Sequence, residues 1–147
     1  VITQNIDDLH ERAGSKKVLH LHGEIMKSRS SVRQDLVYPL KHWEIKKGDV
    51  CELGSQLRPH IVWFGEAVPE MDKAAELAEK ADIFITIGTS LNVYPAANLI
   101  HVIEGHIPKF LVDPGDFNLD YIKNLTIIKA TAVEGMKVLS KKLNELI

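Results

Sequence analysis

Ala81-Asp82-Ile83-Phe84-Ile85-Thr86-Ile87-Gly88-Thr89-Ser90-Leu91-Asn92-Val93-Tyr94-Pro95-Ala96-Ala97 decides how the chain is read. Ile83 to Ile87 is a short apolar run broken only by Thr86. Such a run, rich in β-branched residues, predicts a strand buried on both faces, as in a parallel sheet. Gly88-Thr89-Ser90 follows at once as a turn of small residues, and Pro95 stands where a helix can start. That predicts a helix over Ala96 to Ile103. The order of strand, tight turn and helix places the turn at the carboxyl end of a strand, where open α/β sheets bind ligands. Backbone N–H groups and hydroxyls there can hold a phosphate or a ribose. The motif is short, and a plain turn explains it equally well.

The flanking segments extend the same pattern. Ile107 to Val112 predicts a second apolar strand, stopped by Asp113-Pro114-Gly115-Asp116, and Thr126 to Lys129 a third. Pro69 to Lys80 reads as an amphipathic helix with Met71, Ala74, Ala75, Leu77 and Ala78 on one stripe. Val133 to Ile147 reads as a closing helix with Met136, Leu139, Leu143 and Leu146 or Ile147 on one face. Strands alternating with helices after residue 66 give an α/β fold, a Rossmann-like doubly wound parallel sheet.

The first part of the chain is less regular. Val1-Ile2-Thr3 reads as the end of a strand and Ile6 to Arg12 as a helix, with Asp7 and Asp8 in its first turn and Gly14 just past its end. Val18-Leu19-His20-Leu21-His22 alternates, which puts His20 and His22 on one face of a short strand. Residues 24–57 are polar and without a sustained period, with a strand expected over Ile25 to Val32 and turns at Tyr38-Pro39 and Lys47-Gly48-Asp49. We read them as a small insert beside the main sheet, packed around Val37, Tyr38, Leu40 and Trp43. Arg58 to Glu66 predicts a further strand. The expected division is therefore 1–23, 24–57 and 58–147.

Composition bounds the function. The chain has 147 residues, 45% hydrophobic and 26% charged, which suits one soluble domain with a real core. A net charge of −2 gives no electrostatic case for nucleic acid or an anionic membrane. No apolar run approaches the ~18 residues of a membrane span, and no signal peptide is visible. The single cysteine, Cys51, excludes an internal disulfide and a multi-cysteine metal site. A cytoplasmic location is the expectation.

Several residues could carry chemistry. His22, beside Gly23, could approach a ligand and exchange a proton near neutral pH, or be a satisfied structural histidine. His20 and His22 could ligate a metal, but no third ligand is placed beside them. Gln4, Asn5 and Asp7 could bind an amide or a ribose, or could simply cap a turn. Val62-Trp63-Phe64-Gly65-Glu66 could pair with an extended peptide or form a core strand.

Four segments taken together shift these odds: Thr3-Gln4-Asn5-Ile6-Asp7-Asp8-Leu9-His10 through Ala13-Gly14; Leu21-His22-Gly23; Arg58-Pro59-His60-Ile61-Val62-Trp63-Phe64-Gly65-Glu66; and Gly88-Thr89-Ser90-Leu91 with Val93-Tyr94-Pro95-Ala96. In this order they resemble the sirtuins, the NAD-dependent protein-lysine deacylases. The resemblance implies a general base at His22, acting on a ribose hydroxyl of NAD once nicotinamide has left. It implies that the acyl oxygen of the substrate lysine attacks the ribose, giving nicotinamide, free lysine and an O-acyl-ADP-ribose. It assigns Gln4 and Asn5 to the ribose and a water, and Ile6 and Asp7 to the nicotinamide carboxamide. Val62, Trp63, Phe64, Gly65 and Glu66 fall to the acyl-lysine peptide, and Gly88, Thr89 and Ser90 to the phosphates and adenosine.

Three departures accompany the resemblance. The family usually carries two Cys-x-x-Cys pairs holding a structural zinc, whereas residues 24–57 contain only Cys51. No zinc is therefore expected. Asp113 stands where the family usually has Asn near the adenosine ribose. The glycine-rich loop that cradles the NAD diphosphate has no counterpart, so the resemblance implies that it lies upstream of Val1. The expectation is a C-terminal fragment with half a cofactor site, inactive or nearly so by itself, with an open sheet edge through which it could self-associate. The alternative is a non-catalytic nucleotide- or protein-binding module on a half-Rossmann scaffold.

Overall fold

The computed structural model describes residues 1–89 and 96–146. The chain divides into two compact units, Val1–Met71 and Asp72–Ile147.

In the first unit β1 (Ile2–Thr3) and β2 (Leu19–His20) pair in parallel, with Thr3 opposite His20. The Leu21 N–H donates to the Thr3 carbonyl at 2.9 Å and carries the ladder one residue further. Leu19 and Leu21 are buried while His20 and His22 stay half-buried, as the alternation requires. The intervening helix α1 (Leu9–Arg12) is shorter than expected. Asp7 Oδ1 accepts the Leu9 N–H at 3.1 Å, so the carboxylate that sequence placed inside the helix holds the turn before it. Gly14 sits at φ +94° just beyond the C-cap, where a left-handed residue ends a helix.

β3 (Gly23–Ser30) is the centre of a three-stranded antiparallel sheet, flanked by β4 (Val37–Pro39) and β5 (Leu57–Ile61). Tyr38-Pro39, expected as a turn, is thus part of an edge strand, where a proline's missing N–H is tolerated. The expected strand over Arg58 to Glu66 ends at Ile61 and gives way to a turn. The expected packing is also corrected: Trp43 is 88% exposed and Val37 is exposed, whereas Ser28, Arg29, Ser30 and Cys51 are buried. Polar bonds close this module. Gln56 donates through Nε2 to the Lys46 carbonyl and accepts the Gly48 N–H, and its own carbonyl accepts the Ser31 N–H.

In the second unit β6 (Phe84–Ile87), β7 (Lys109–Val112) and β8 (Leu125–Ile128) form a parallel sheet in that order. With helices α2 (Met71–Glu79) and α3 (Ala132–Leu146), this is the expected α/β, Rossmann-like arrangement. Central β7 is buried along its whole length. Among the described residues β6 pairs with β7 alone, and Ile85 and Ile87 are exposed on one face, so it is not buried on both faces as its composition predicts. The helix expected over Ala96 to Ile103 is a 3-10 helix, Ala96–His101. The Pro95 helix start, Ser90 and Ile147 lie outside the described residues.

Leu139 of α3 is fully buried against Phe110, Val112 and Ile128, with Ile83, Ala130 and Leu143 around them. Met136 and Leu146, expected on the same face, are exposed, as is Leu77 of α2, where Ala74 and Ala78 are the buried pair. Gly135 brings α3 close to the sheet: a Cβ there would lie 2.2 Å from Val112 Cγ1, and Val112 is fully buried. Gly135→Ala therefore sets a gain of ~1 kcal/mol in helix propensity against overpacking of about 1–3 kcal/mol. Urea unfolding should show a lowered midpoint; a raised midpoint would show that the helix seats differently.

Candidate active site

The predicted site residues of the first unit gather at the junction of its two sheets. His22 leaves β2 and Gly23 opens β3 at φ +80°. A Cβ on Gly23 would lie 2.1 Å from the His60 carbonyl oxygen, so only glycine lets β3 approach β5 here. The His22 carbonyl accepts the Val62 N–H at 2.9 Å, which ties the histidine to the residue where β5 has just ended. On the other side the Ile6 carbonyl accepts the Ile25 N–H at 2.8 Å. Gln4, Asn5, Ile6 and Asp7 therefore form one loop against His22, which Val62 meets through its N–H just past the end of β5.

His22 Nδ1 lies 3.0 Å from the Gln4 carbonyl oxygen. A carbonyl only accepts, so Nδ1 carries the proton in this bond and Nε2 of the neutral ring presents a lone pair. That is the tautomer a general base needs. His20 bonds one residue further along the loop, but through both ring nitrogens: its Nδ1 lies 3.1 Å from the Asn5 carbonyl oxygen, and its Nε2 lies 2.9 Å from Glu11 Oε1. Sequence reading noticed His20 only as a possible metal ligand and passed over Glu11, whose spacing on α1 carries no recognisable signal.

The Val62–Glu66 segment has an internal anchor that sequence reading missed. Glu66 accepts from Arg58 Nη1 at 2.6 Å, from Arg29 Nη2 at 3.2 Å, and from the Trp63 N–H at 3.1 Å. Arg29 is buried, and the Arg58 guanidinium lies 6.0 Å from the Trp63 ring centroid in a cation–π contact. Gly65 turns at φ +87°, and Phe64 projects fully exposed from the tip. The arrangement presents Trp63 and Phe64 outward on a turn whose carboxylate is bonded inward.

A structural zinc would draw its donors from the antiparallel module. Cys-x-x-Cys pairs place thiolates three residues apart, facing one metal. Here two turns of that spacing approach each other, Ser30 to Arg33 and Cys51 to Gly54. Cys51 Sγ lies 3.5 Å from Ser30 Oγ, which also accepts the Val32 and Arg33 N–H groups at 3.2 Å each. One thiol, a hydroxyl, a guanidinium and a glycine do not make the tetrathiolate set that a structural zinc of this kind takes.

In the second unit Gly88 and Asp113 follow the paired residues Ile87 and Val112, at the carboxyl ends of adjacent parallel strands. The Gly88 N–H donates to the Val112 carbonyl at 3.0 Å, and Gly88 adopts φ +63°. Asp113 Oδ1 accepts the Gly115 N–H at 2.8 Å, so this carboxylate shapes its own turn. Thr89 is half-buried beside Gly88.

The sequence profile of the Sir2 family matches residues 1–95. A curated NAD-dependent protein deacylase of Bacteroides thetaiotaomicron is 47% identical over 148 residues, covering 97% of this chain and 63% of its own length. The crystal structure of a Sir2 homologue–NAD complex matches with a TM-score of 0.80 at 35% identity, over 99% of this chain and 58% of that one. A Sir2–p53 peptide–NAD+ structure matches with a TM-score of 0.73 at 36% identity, over 97% of this chain and 62% of that one. The chain thus spans about three-fifths of the length of the relatives it matches.

The hydrogen bond from Arg58, then that from the Trp63 N–H, holds the Glu66 carboxyl below its ordinary range, with the charges of both arginines adding to it. A depressed carboxylate stabilises the fold fully above its unfolded value, ~4.3, and that contribution is lost as pH falls through the folded value. Acid unfolding followed by Trp fluorescence should therefore show stability declining below the usual carboxylate range. Glu66→Gln should flatten that decline and change Trp63 emission at neutral pH. An unchanged acid limb would mean that the triad contributes nothing to the fold.

Proposed function

The chain belongs to the Sir2 family, and from that premise we propose that it serves the NAD-dependent removal of acyl groups from protein lysines. The observation that carries this reading is the bond from His22 Nδ1 to the Gln4 carbonyl, which leaves Nε2 as the proton acceptor inside the Gln4–Asp7 loop. Nicotinamide leaves C1′ of the ribose and the lysine acyl oxygen bonds to that carbon. His22 Nε2 takes the proton of a ribose hydroxyl, whose oxygen attacks the acyl carbon. Water completes the release of lysine and O-acyl-ADP-ribose. Gln4, Asn5, Ile6 and Asp7 face the ribose and carboxamide in this reading. The Val62–Glu66 segment takes the peptide, in line with the peptide and NAD+ named for one structural relative. Gly88, Thr89 and Asp113 serve the phosphates and adenosine at the strand ends, the edge where such sheets bind nucleotides.

Nicotinamide release from NAD with an acetyl-lysine peptide tests this. It is measured on the chain and on a chimera with the part of the Bacteroides relative that the chain does not match. Peptide-dependent release that falls by at least about a thousandfold in His22→Ala, in the range reported for loss of a central catalytic group, supports the reading. Release that survives this change overturns it.

We also read the antiparallel module as metal-free. Incubation with a strong chelator should leave its unfolding midpoint unchanged, and elemental analysis should find no stoichiometric zinc. A midpoint that drops on chelation would reverse this reading.

A further inference from the structure

We infer that His20 is a positioning residue held as an imidazolium between the Glu11 carboxylate and the Asn5 carbonyl, so that its proton occupancy fixes the loop on which His22 acts. The inference rests on the deacylase reading for its consequence in turnover, but its structural half stands alone.

The argument starts from donors and acceptors. His20 Nε2 lies 2.9 Å from Glu11 Oε1 and His20 Nδ1 lies 3.1 Å from the Asn5 carbonyl oxygen. Both partners accept only, so both ring nitrogens must donate for both bonds to exist. A neutral imidazole has one N–H and can serve one of the two. The geometry therefore demands the doubly protonated ring. Its side chain is 7% exposed, so water cannot readily replace a lost partner.

The surrounding charges agree. Burial opposes the charged ring, but the Glu11 hydrogen bond and then the Asn5 carbonyl outweigh it, and His20 is raised above its ordinary value. Glu11 is correspondingly lowered, first by His20 and also by the nearby His10 of the same helix. From β3, Glu24 adds to the favourable field on His20, although its carboxylate is bonded to Lys27 at 2.6 Å. His20 also lines a cleft of about 260 Å³ with Arg29, Asp35, His60 and Glu70. The charge of Arg29 is committed to Glu66, and His60 is pushed down by burial and by Arg29, which favours its neutral form.

The consequence is an opposed proton demand two residues apart. His20 grips the Asn5 carbonyl while charged, whereas His22 grips the Gln4 carbonyl with one proton and needs Nε2 bare. A raised histidine contributes fully below its unfolded value, ~6.5, and the contribution is lost as pH rises through the folded value. The Glu11 carboxylate contributes above the carboxylate range. The bridge from Glu11 through His20 to the Asn5 carbonyl is thus complete between these limits, and one of its two bonds is lost on the alkaline side.

Ring ¹⁵N shifts of the chain test the structural half: both His20 nitrogens should carry protons at pH 6, and Glu11→Gln should lower the pH at which one is lost. A singly protonated His20 at pH 6, or a titration that Glu11→Gln does not move, overturns the inference. The functional half is read from the pH profile of nicotinamide release in the protein or chimera that shows turnover. The alkaline fall of kcat should move to lower pH in Glu11→Gln. It should vanish in His20→Gln, with kcat about tenfold lower from misplacement of the loop. If His22→Ala abolishes turnover while these two variants leave the profile unmoved, the inference alone fails. If His22→Ala is tolerated, the deacylase reading fails and the ¹⁵N result decides the inference by itself.

Discussion

The first unit depends on one backbone constraint, the left-handed conformation of Gly23. Just before it the chain pairs in parallel, with the Leu21 N–H on the Thr3 carbonyl; just after it, β3 pairs antiparallel with β5. A side chain at this switch would meet the His60 carbonyl at 2.1 Å, which no rotamer relieves because the obstacle is backbone. His22 is therefore fixed from three directions by covalent and main-chain geometry alone. Its ring needs only the Gln4 carbonyl to settle its orientation and tautomer. The catalytic candidate stands where two ladders of opposite sense are joined, and its main chain is bonded on both sides of that switch.

The parts of the fold that were legible in the sequence are those stabilised by apolar area. β7 and β8 announce themselves as apolar runs, and Leu139 as the core residue of the last helix, because burying such groups leaves a period in the sequence. β6 was placed correctly, but its pairing with β7 alone among the described residues was invisible: composition does not encode pairing order. The packing of the antiparallel module escaped sequence reading for a different reason. Its interior holds Ser28, Arg29 and Ser30 while Trp43 stands in solvent, and rules that put aromatic residues inside invert there.

Residues of the candidate site could be named from the sequence, but their bonding partners could not. Motif resemblance singled out His22, the Gln4–Asp7 loop, Glu66 and Gly88, each from a short contiguous segment of the chain. It could not show that Asp7 holds the start of α1, that Asp113 closes its own turn, or that His20 of β2 pairs with Glu11 of α1. Glu66 is the clearest instance. Its partner Arg29 lies 37 positions away on β3, and no local spacing relates the two.

That triad also explains how a polar interior can hold a module that has one thiol where four are expected. A buried guanidinium is costly unless it is paired and hydrogen-bonded. Arg29 meets this condition only if Glu66 turns back toward β3, and Glu66 turns back only because Gly65 permits φ +87° and Arg58 supplies the second guanidinium. The same carboxylate accepts the Trp63 N–H, so satisfying Arg29 fixes the turn at whose tip Phe64 stands. The charge that stabilises the module and the shape of its most exposed apolar turn are therefore one interaction. A change that unpairs Arg29 acts on Trp63 and Phe64 without touching either.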